Sequence, residues 1–234
     1  MDGTTDFAQA RIQSRHGAHP DGAAWAMVHA AVNLSALLEA ARASALRPWI
    51  AGLDAGSTLD EIERLVRVRL RGRIEEVARW MPQAWRPAVL LTRELVDLPA
   101  RQRLAAGLGV LPWMADDPAL AARPARDDVA SADNPREAWL AAWRASWPRC
   151  SAEERAALEE LVSTLRSHLA EFARASVEDA WELRRALGAR LERLFRRHAL
   201  LAAAAFDHLA LLALDAERLR AELVAHAAAR RPSP

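Results

Sequence analysis

The sequence predicts an all-α protein, a multi-helix bundle of long antiparallel helices with no sheet. Three observations carry that prediction. Alanine is the commonest residue, leucine follows, and all 32 lysine-or-arginine positions are arginine; with glutamate these are the strongest helix formers. Apolar residues recur three and four positions apart through most of the chain, the period of one buried helix face. Helix start and stop signals punctuate those stretches, while only nine glycines occur among 234 residues, too few for a turn-rich β architecture.

The elements follow in order. Phe7 to Arg15 reads as a short helix ending near Gly17 and Pro20. Asp21 caps a long helix from Gly22 to Leu46, stopped by Arg47-Pro48. Residues 50–56 form a turn region. Ser57-Thr58, with Asp60 and Glu61 behind them, make a capping box for a helix reaching Trp80 or Met81. Within it, residues 66–71 alternate apolar and arginine like a strand. The longer helical spacing of Leu59, Ile62, Leu65, Val66, Ile74, Val77 and Met81 overrides that local alternation. The arginines 64, 67, 69, 71 and 73 are then expected on exposed sides, with Glu61, Glu63, Glu75 and Glu76 as partners within a turn.

Trp85 to Leu95 is helical after Pro87, and Asp97 caps another helix from Pro99 to Ala106 that Gly107 and Gly109 end. Residues 110–135 hold four prolines and five aspartates and read as a linker with one short helix near Leu120. This divides the chain into an N-terminal helical half, 1–109, the Pro/Asp-rich linker, 110–135, and a C-terminal helical half, 136–234, with the halves packed as one domain. Asn134-Pro135 open a helix to Trp147. Ser151 with Glu154 box one to Ala175, Ser176 caps one from Val177 to Arg197, and the last runs from Leu200 to Ala229 before a frayed RRPSP tail.

Composition also excludes function classes. The 32 arginines face 31 acids, a net charge of +1, so a basic grip on nucleic acid is not expected. The single Cys150 supports neither a disulfide framework nor a cysteine-rich zinc module. Without lysine there is no Schiff base and no Walker-type phosphate lysine. The two most apolar stretches, 22–38 and 199–214, fall short of the ~20 residues of a spanning helix and carry polar groups in their middles. The opening MDGTTDFAQARIQSR has no apolar core of a secretory signal. The expectation is a cytoplasmic protein without a transmembrane segment, peripheral at most to the inner face of a membrane.

No catalytic signature emerges, and neither cofactor nor metal is expected. Glu-x-x-His pairs of a di-iron bundle, His-Glu-x-x-His and Gly-x-Ser-x-Gly are all absent. His198, Asp207 and His208 are the one group able to meet across a helix junction, the best residues for an alternative reading as an enzyme or metal protein. His16 and His19 read as loop histidines, and the arginine runs 64–73 and 184–197, diluted by acids, leave a nucleic-acid regulator as a weaker alternative. The distinctive feature is tryptophan. Nine occur, with no tyrosine, and Trp49, Trp85, Trp113 and Trp147 each sit beside a proline, or one residue from it, where helices end. Trp and Arg dominate binding hot spots. Trp49, Trp80, Trp85, Arg86 and Trp113 are therefore the candidate partner-binding residues, and the expected partner is a protein, such as a subunit of a membrane complex.

The opening FAQARIQSR, with the helix ending LSALLEAARASALRPWI, is similar to the start of the C/d-subunit family of V-type and A-type ATPases, where an aromatic and an Ala-Arg segment begin the chain. STLDEIERLVRVRL resembles that family's next helix, with its Ile-Glu pair at Ile62-Glu63, and FDHLALLALDAERLRAELV resembles its last long helix. The chain is shorter than a full family member of three similar helical units, and RWMPQAWRP through LPWM has no counterpart in the family's pattern. The resemblance implies a non-catalytic helical adaptor between a membrane-embedded and a soluble part of a complex.

Overall fold

A computed structural model describes residues 5–121 and 129–229. The part of the predicted linker at 122–128, the RRPSP tail at 230–234 and residues 1–4 lie outside the described residues. The described residues are mostly helical, with turns between the helices and no strand among them. In order the helices are α1 (Thr5–His16), α2 (Gly22–His29), α3 (Leu34–Arg42), α4 (Arg47–Ile50), α5 (Leu59–Trp80), α6 (Arg86–Leu91), α7 (Arg93–Ala105), α8 (Pro112–Ala115), α9 (Pro118–Ala121), α10 (Pro135–Ala145), α11 (Ala152–Phe172), α12 (Ala180–Arg197) and α13 (Ala203–Ala229).

Several boundaries follow the caps. The Asp21 carboxylate accepts from Ala24 N at 2.8 Å, and Ser151 Oγ accepts from Glu154 N at 3.0 Å. Thr58 and Glu61 complete the reciprocal box of α5: Glu61 Oε2 accepts from Thr58 N, and Thr58 Oγ1 accepts from Glu61 N. The bonds that the Glu61 carboxylate accepts from Thr58 N and from Thr58 Oγ1 lower its pKa.

Other boundaries differ from the sequence-based expectation. The helix expected over 22–46 is two helices, because Asn33 turns its side chain onto Ala36 N and starts α3 afresh. Pro48 does not end a helix but sits in the first turn of α4, where its missing N–H costs nothing. Asp97 caps nothing: α7 runs through Pro99, and the Asp97 carboxylate points inward. The described part of 110–135 is not bare linker, since α8 and α9 lie in it and Trp113, Met114 and Leu120 bury with Ala100 in one apolar cluster. Ser176 accepts from Asp179 N ahead of α12, which starts at Ala180. Leu200 does not begin α13; its φ of 72° places it in the left-handed region, inside the turn that separates α12 from α13.

The chain forms two compact units drawn from interleaved segments, which do not coincide with 1–109 and 136–234. Among described residues, one comprises 5–17, 74–90 and 146–214, and the other 18–73, 91–145 and 215–229. The long helices α5 and α13 each contribute residues to both. In the first unit α11 and α12 pack as an antiparallel hairpin. Arg197 pairs with Glu160 near one end and Arg190 with Glu171 near the other, so rising numbers on one helix meet falling numbers on the other. Its core holds Ile12, Met81, Leu158, Leu191 and Phe195.

In the second unit Leu34, Leu37, Ile50, Ile62 and Leu219 are fully buried. Arg71, expected on an exposed side of α5, is buried there. It donates to Asp97 Oδ1 and Asp117 Oδ2, each at 2.6 Å, and both carboxylates are buried with it. Its partners stand 26 and 46 residues away in sequence, beyond the reach of a rule confined to neighbouring turns. Arg67 keeps the expected partner one turn back, Glu63, at 2.7 Å. No helix of the described residues is long and apolar enough to cross a membrane.

Candidate functional site

The five residues singled out for partner binding fall in different surroundings. In the first unit Trp85 is buried, with its ring edge toward Phe206 at 6.2 Å between centroids. Beside it Trp80 and Arg86 are half-buried, and Arg86 Nε donates to Met81 O at 3.2 Å. In the second unit Trp49 is buried in α4, and Trp113 is buried with the Arg67 guanidinium 4.5 Å above its ring.

Of the nine tryptophans, all within the described residues, Trp181 alone is exposed, at 40%. It stands in the first turn of α12, at the tip of the α11–α12 hairpin. Arg184, one turn further on, is held between two aromatic faces: its guanidinium carbon lies 5.1 Å from the Trp181 centroid and 4.6 Å from that of Phe172 on α11. Val177, in the connection, is 91% exposed, and Leu169 on α11 is also exposed. Proximity to proline does not find this group, because Trp181 adjoins none. A signal was present: at 100° per residue, Trp181 falls about a quarter turn from the stripe formed by Leu187, Leu191, Leu194 and Phe195.

The hairpin prepares this cation chemically. Glu171 is held by Ser167 and Arg190, and the Ser167 hydrogen bond leads the causes that lower its pKa. Arg185 pairs with Glu182. Arg184, by contrast, makes its contacts with π faces, which attract the cation without neutralising it. A guanidinium clamped this way keeps its edge donors in a fixed plane, the geometry that takes a carboxylate by two parallel hydrogen bonds. His168, buried beside Phe172, has its pKa lowered, chiefly by loss of hydration.

Of the group in the alternative reading, His198 and Asp207 meet within the first unit, while His208 lies against Phe195 and His16 instead. His198 caps the end of α12, and its Nδ1 shares a hydrogen bond with Asp207 Oδ2 at 2.7 Å, both groups being buried. On the other side His198 Nε2 lies 3.4 Å from Glu160 Oε2, a half-exposed carboxylate that also pairs with Arg197. Burial pushes the Asp207 pKa up to about 6, against the pull of His198 and with a small push from Glu160. Its second oxygen, Oδ1, is buried without a hydrogen-bond partner. The result is a carboxylate–imidazole–carboxylate chain that can hold a proton. His208 is buried near Phe195, at 6.2 Å between centroids. His16 closes α1 rather than lying in a loop and packs 4.0 Å from Phe195, with Nε2 3.1 Å from Glu192. In the second unit His19 is half-buried, with Nδ1 2.7 Å from Asp215 Oδ2.

The second unit holds a cleft of about 420 Å³ among α5, α7, α8 and α13. Arg220 in its wall donates to Glu63 and Glu217; burial works against its charge, but the two carboxylates outweigh that and its pKa rises.

This defines the chain as an all-α protein of two compact helical units, each drawn from alternating segments, carrying an aromatic–arginine tip on one and an open cleft on the other. Comparison with known proteins finds no matching family model, no matching curated protein and no matching solved structure.

Proposed function

We propose that the chain is a non-catalytic helical adaptor, an assembly subunit of a larger complex, cytoplasmic or peripheral to the inner face of a membrane, as its resemblance to the C/d-subunit family of V-type and A-type ATPases implies. The observation that carries the reading is the hairpin tip, where exposed Trp181 and half-buried Phe172 flank the half-buried Arg184 beside the exposed Val177. An arginine held between aromatic faces costs little further side-chain ordering on binding. Aromatic and arginine anchors supply most of the energy at protein interfaces. Trp80 and Arg86, half-buried in the same unit, remain separate candidates.

The test is a photo-cross-linking residue at Val177 in native cells, followed by purification from soluble and membrane fractions. One protein cross-linked in stoichiometric amount, and lost in Arg184→Glu, supports the reading. A clean monomer in both fractions refutes it.

A further inference from the structure

The cleft of the second unit has a chemistry of its own. Its walls carry three arginines, Arg67, Arg103 and Arg220, against two carboxylates, Asp60 and Glu63. Glu63 is already held: Arg67 Nη2 lies 2.7 Å from it and Arg220 Nη1 3.3 Å. Arg103 is placed differently. Its Nε donates to Gly109 O at 3.1 Å and its Nη2 to Leu108 O at 2.7 Å, both uncharged acceptors. These bonds pin a loop in which Gly107 and Gly109 take φ of 68° and 77°, conformations that favour glycine. The pinned loop holds its apolar side chains out: Leu108 is 61% and Val110 62% exposed. One guanidinium thus organises the loop, keeps its charge, and stands between two exposed apolar residues and the cleft it lines.

We infer that this cleft is the docking groove for an acidic amphipathic helix of a partner protein, an inference that rests on the adaptor reading. The partner's apolar face lies on Leu108, Val110 and the cleft wall at Leu111 and Val224, and its carboxylate meets Arg103. Charge complementarity selects this occupant. Arg67 and Arg220 are answered by Glu63 and Glu217, so the selection rests on Arg103: a basic helix meets that cation, and an uncharged one leaves its charge unanswered while adding apolar cover around it, which is costly. An open groove among helices suits a helix laid into it along one apolar face.

The test uses the full chain and two fluorescent helical peptides of leucine and alanine, one bearing glutamates and the other lysines at the same positions. Anisotropy titration is expected to show binding of the glutamate peptide alone. Arg103→Gln, which retains a donor for the loop carbonyls but removes the charge, and Leu108→Asp each weaken it about tenfold, and Arg103→Glu turns the preference toward the lysine peptide. Trp181→Ala leaves the titration unchanged, so failure to find a partner at the hairpin tip and failure of the groove are separate results. Equal binding of both peptides, no binding of either, or glutamate-peptide binding indifferent to Arg103→Gln and Leu108→Asp overturns the inference.

Discussion

Arg71→Met is the sharpest test of how the second unit is held together. It removes a cation from between two carboxylates while leaving a side chain of similar reach in the core. Arg71, Asp97 and Asp117 are all buried, and each guanidinium–carboxylate contact is 2.6 Å. At an effective dielectric of about 20, charges centred about 4 Å apart, as such a contact sets the guanidinium and carboxylate centres, attract by roughly 4 kcal/mol. The two pairs together oppose the lost hydration of three charges and the repulsion between the carboxylates. Removing the shared cation leaves that repulsion and that dehydration in place. The expected loss is about 3–5 kcal/mol. The triple variant Arg71→Met, Asp97→Asn, Asp117→Asn deletes the charges together and should recover about half of the loss or more. Urea denaturation followed by far-ultraviolet circular dichroism measures both. If Arg71→Met costs less than about 1 kcal/mol, or if the triple variant is no more stable than the single one, the network does not carry the load assigned to it.

Three further outcomes are expected. Trp85→Ala should destabilise by about 3–5 kcal/mol, since the ring is buried against Phe206, whereas Trp181→Ala should leave denaturation midpoints nearly unchanged. Asp207 binds its proton more tightly folded than unfolded, its pKa rising from 3.8 to about 6; its contribution is therefore full below 3.8 and lost as pH climbs through 6, about 3 kcal/mol in all. Asp207→Asn should then flatten the pH dependence of stability across that window, and an unaltered slope in denaturation series on either side of it would contradict the assignment. Leu200→Gly should raise stability by up to about 1 kcal/mol, as shown by the thermal midpoint, because Leu200 holds φ of 72° with its side chain 71% exposed.

What the sequence made legible was local. Caps at Asp21, Ser151 and Thr58 act within four residues, and their chemistry is decided by the residues that spell them. The meeting of His198 with Asp207 was legible for the same reason, being a turn and a helix start apart. Asn33 was hidden because an apolar period runs past it, although a side-chain amide that competes for backbone donors is a reason to restart a helix. Arg71 was out of reach: nothing near it in sequence distinguishes it from Arg69, which donates instead to Ala51 O. Proline neighbours drew attention to Trp49, Trp85 and Trp113, yet a tryptophan at a helix end is as often anchored inward, and these three are buried. Helix phase, not proximity to proline, is what separates Trp181 from them.

An alanine-, leucine- and arginine-rich chain faces a problem of uniqueness, since its helical stripes resemble one another and pack interchangeably. Charged groups placed inside can break that degeneracy, because a register that separates them leaves a dehydrated charge without its counter-ion. In the second unit Arg71 ties α5 to the carboxylate of α7 at Asp97 and to that of Asp117 ahead of α9. In the first, His198 ties the end of α12 to α13 through Asp207 and approaches α11 through Glu160. Arginines used in this way are matched to carboxylates and have little left for a partner. Arg184 and Arg103 are used otherwise: one rests on two aromatic rings, the other on two peptide carbonyls, and both stand beside exposed apolar side chains. A cation that is immobilised but not neutralised has already given up its rotamer entropy while keeping its charge for a carboxylate from outside. We therefore assign assembly to Arg184 and Arg103 for the uncharged groups that hold them together with the exposed apolar side chains beside them, not for any excess of positive charge.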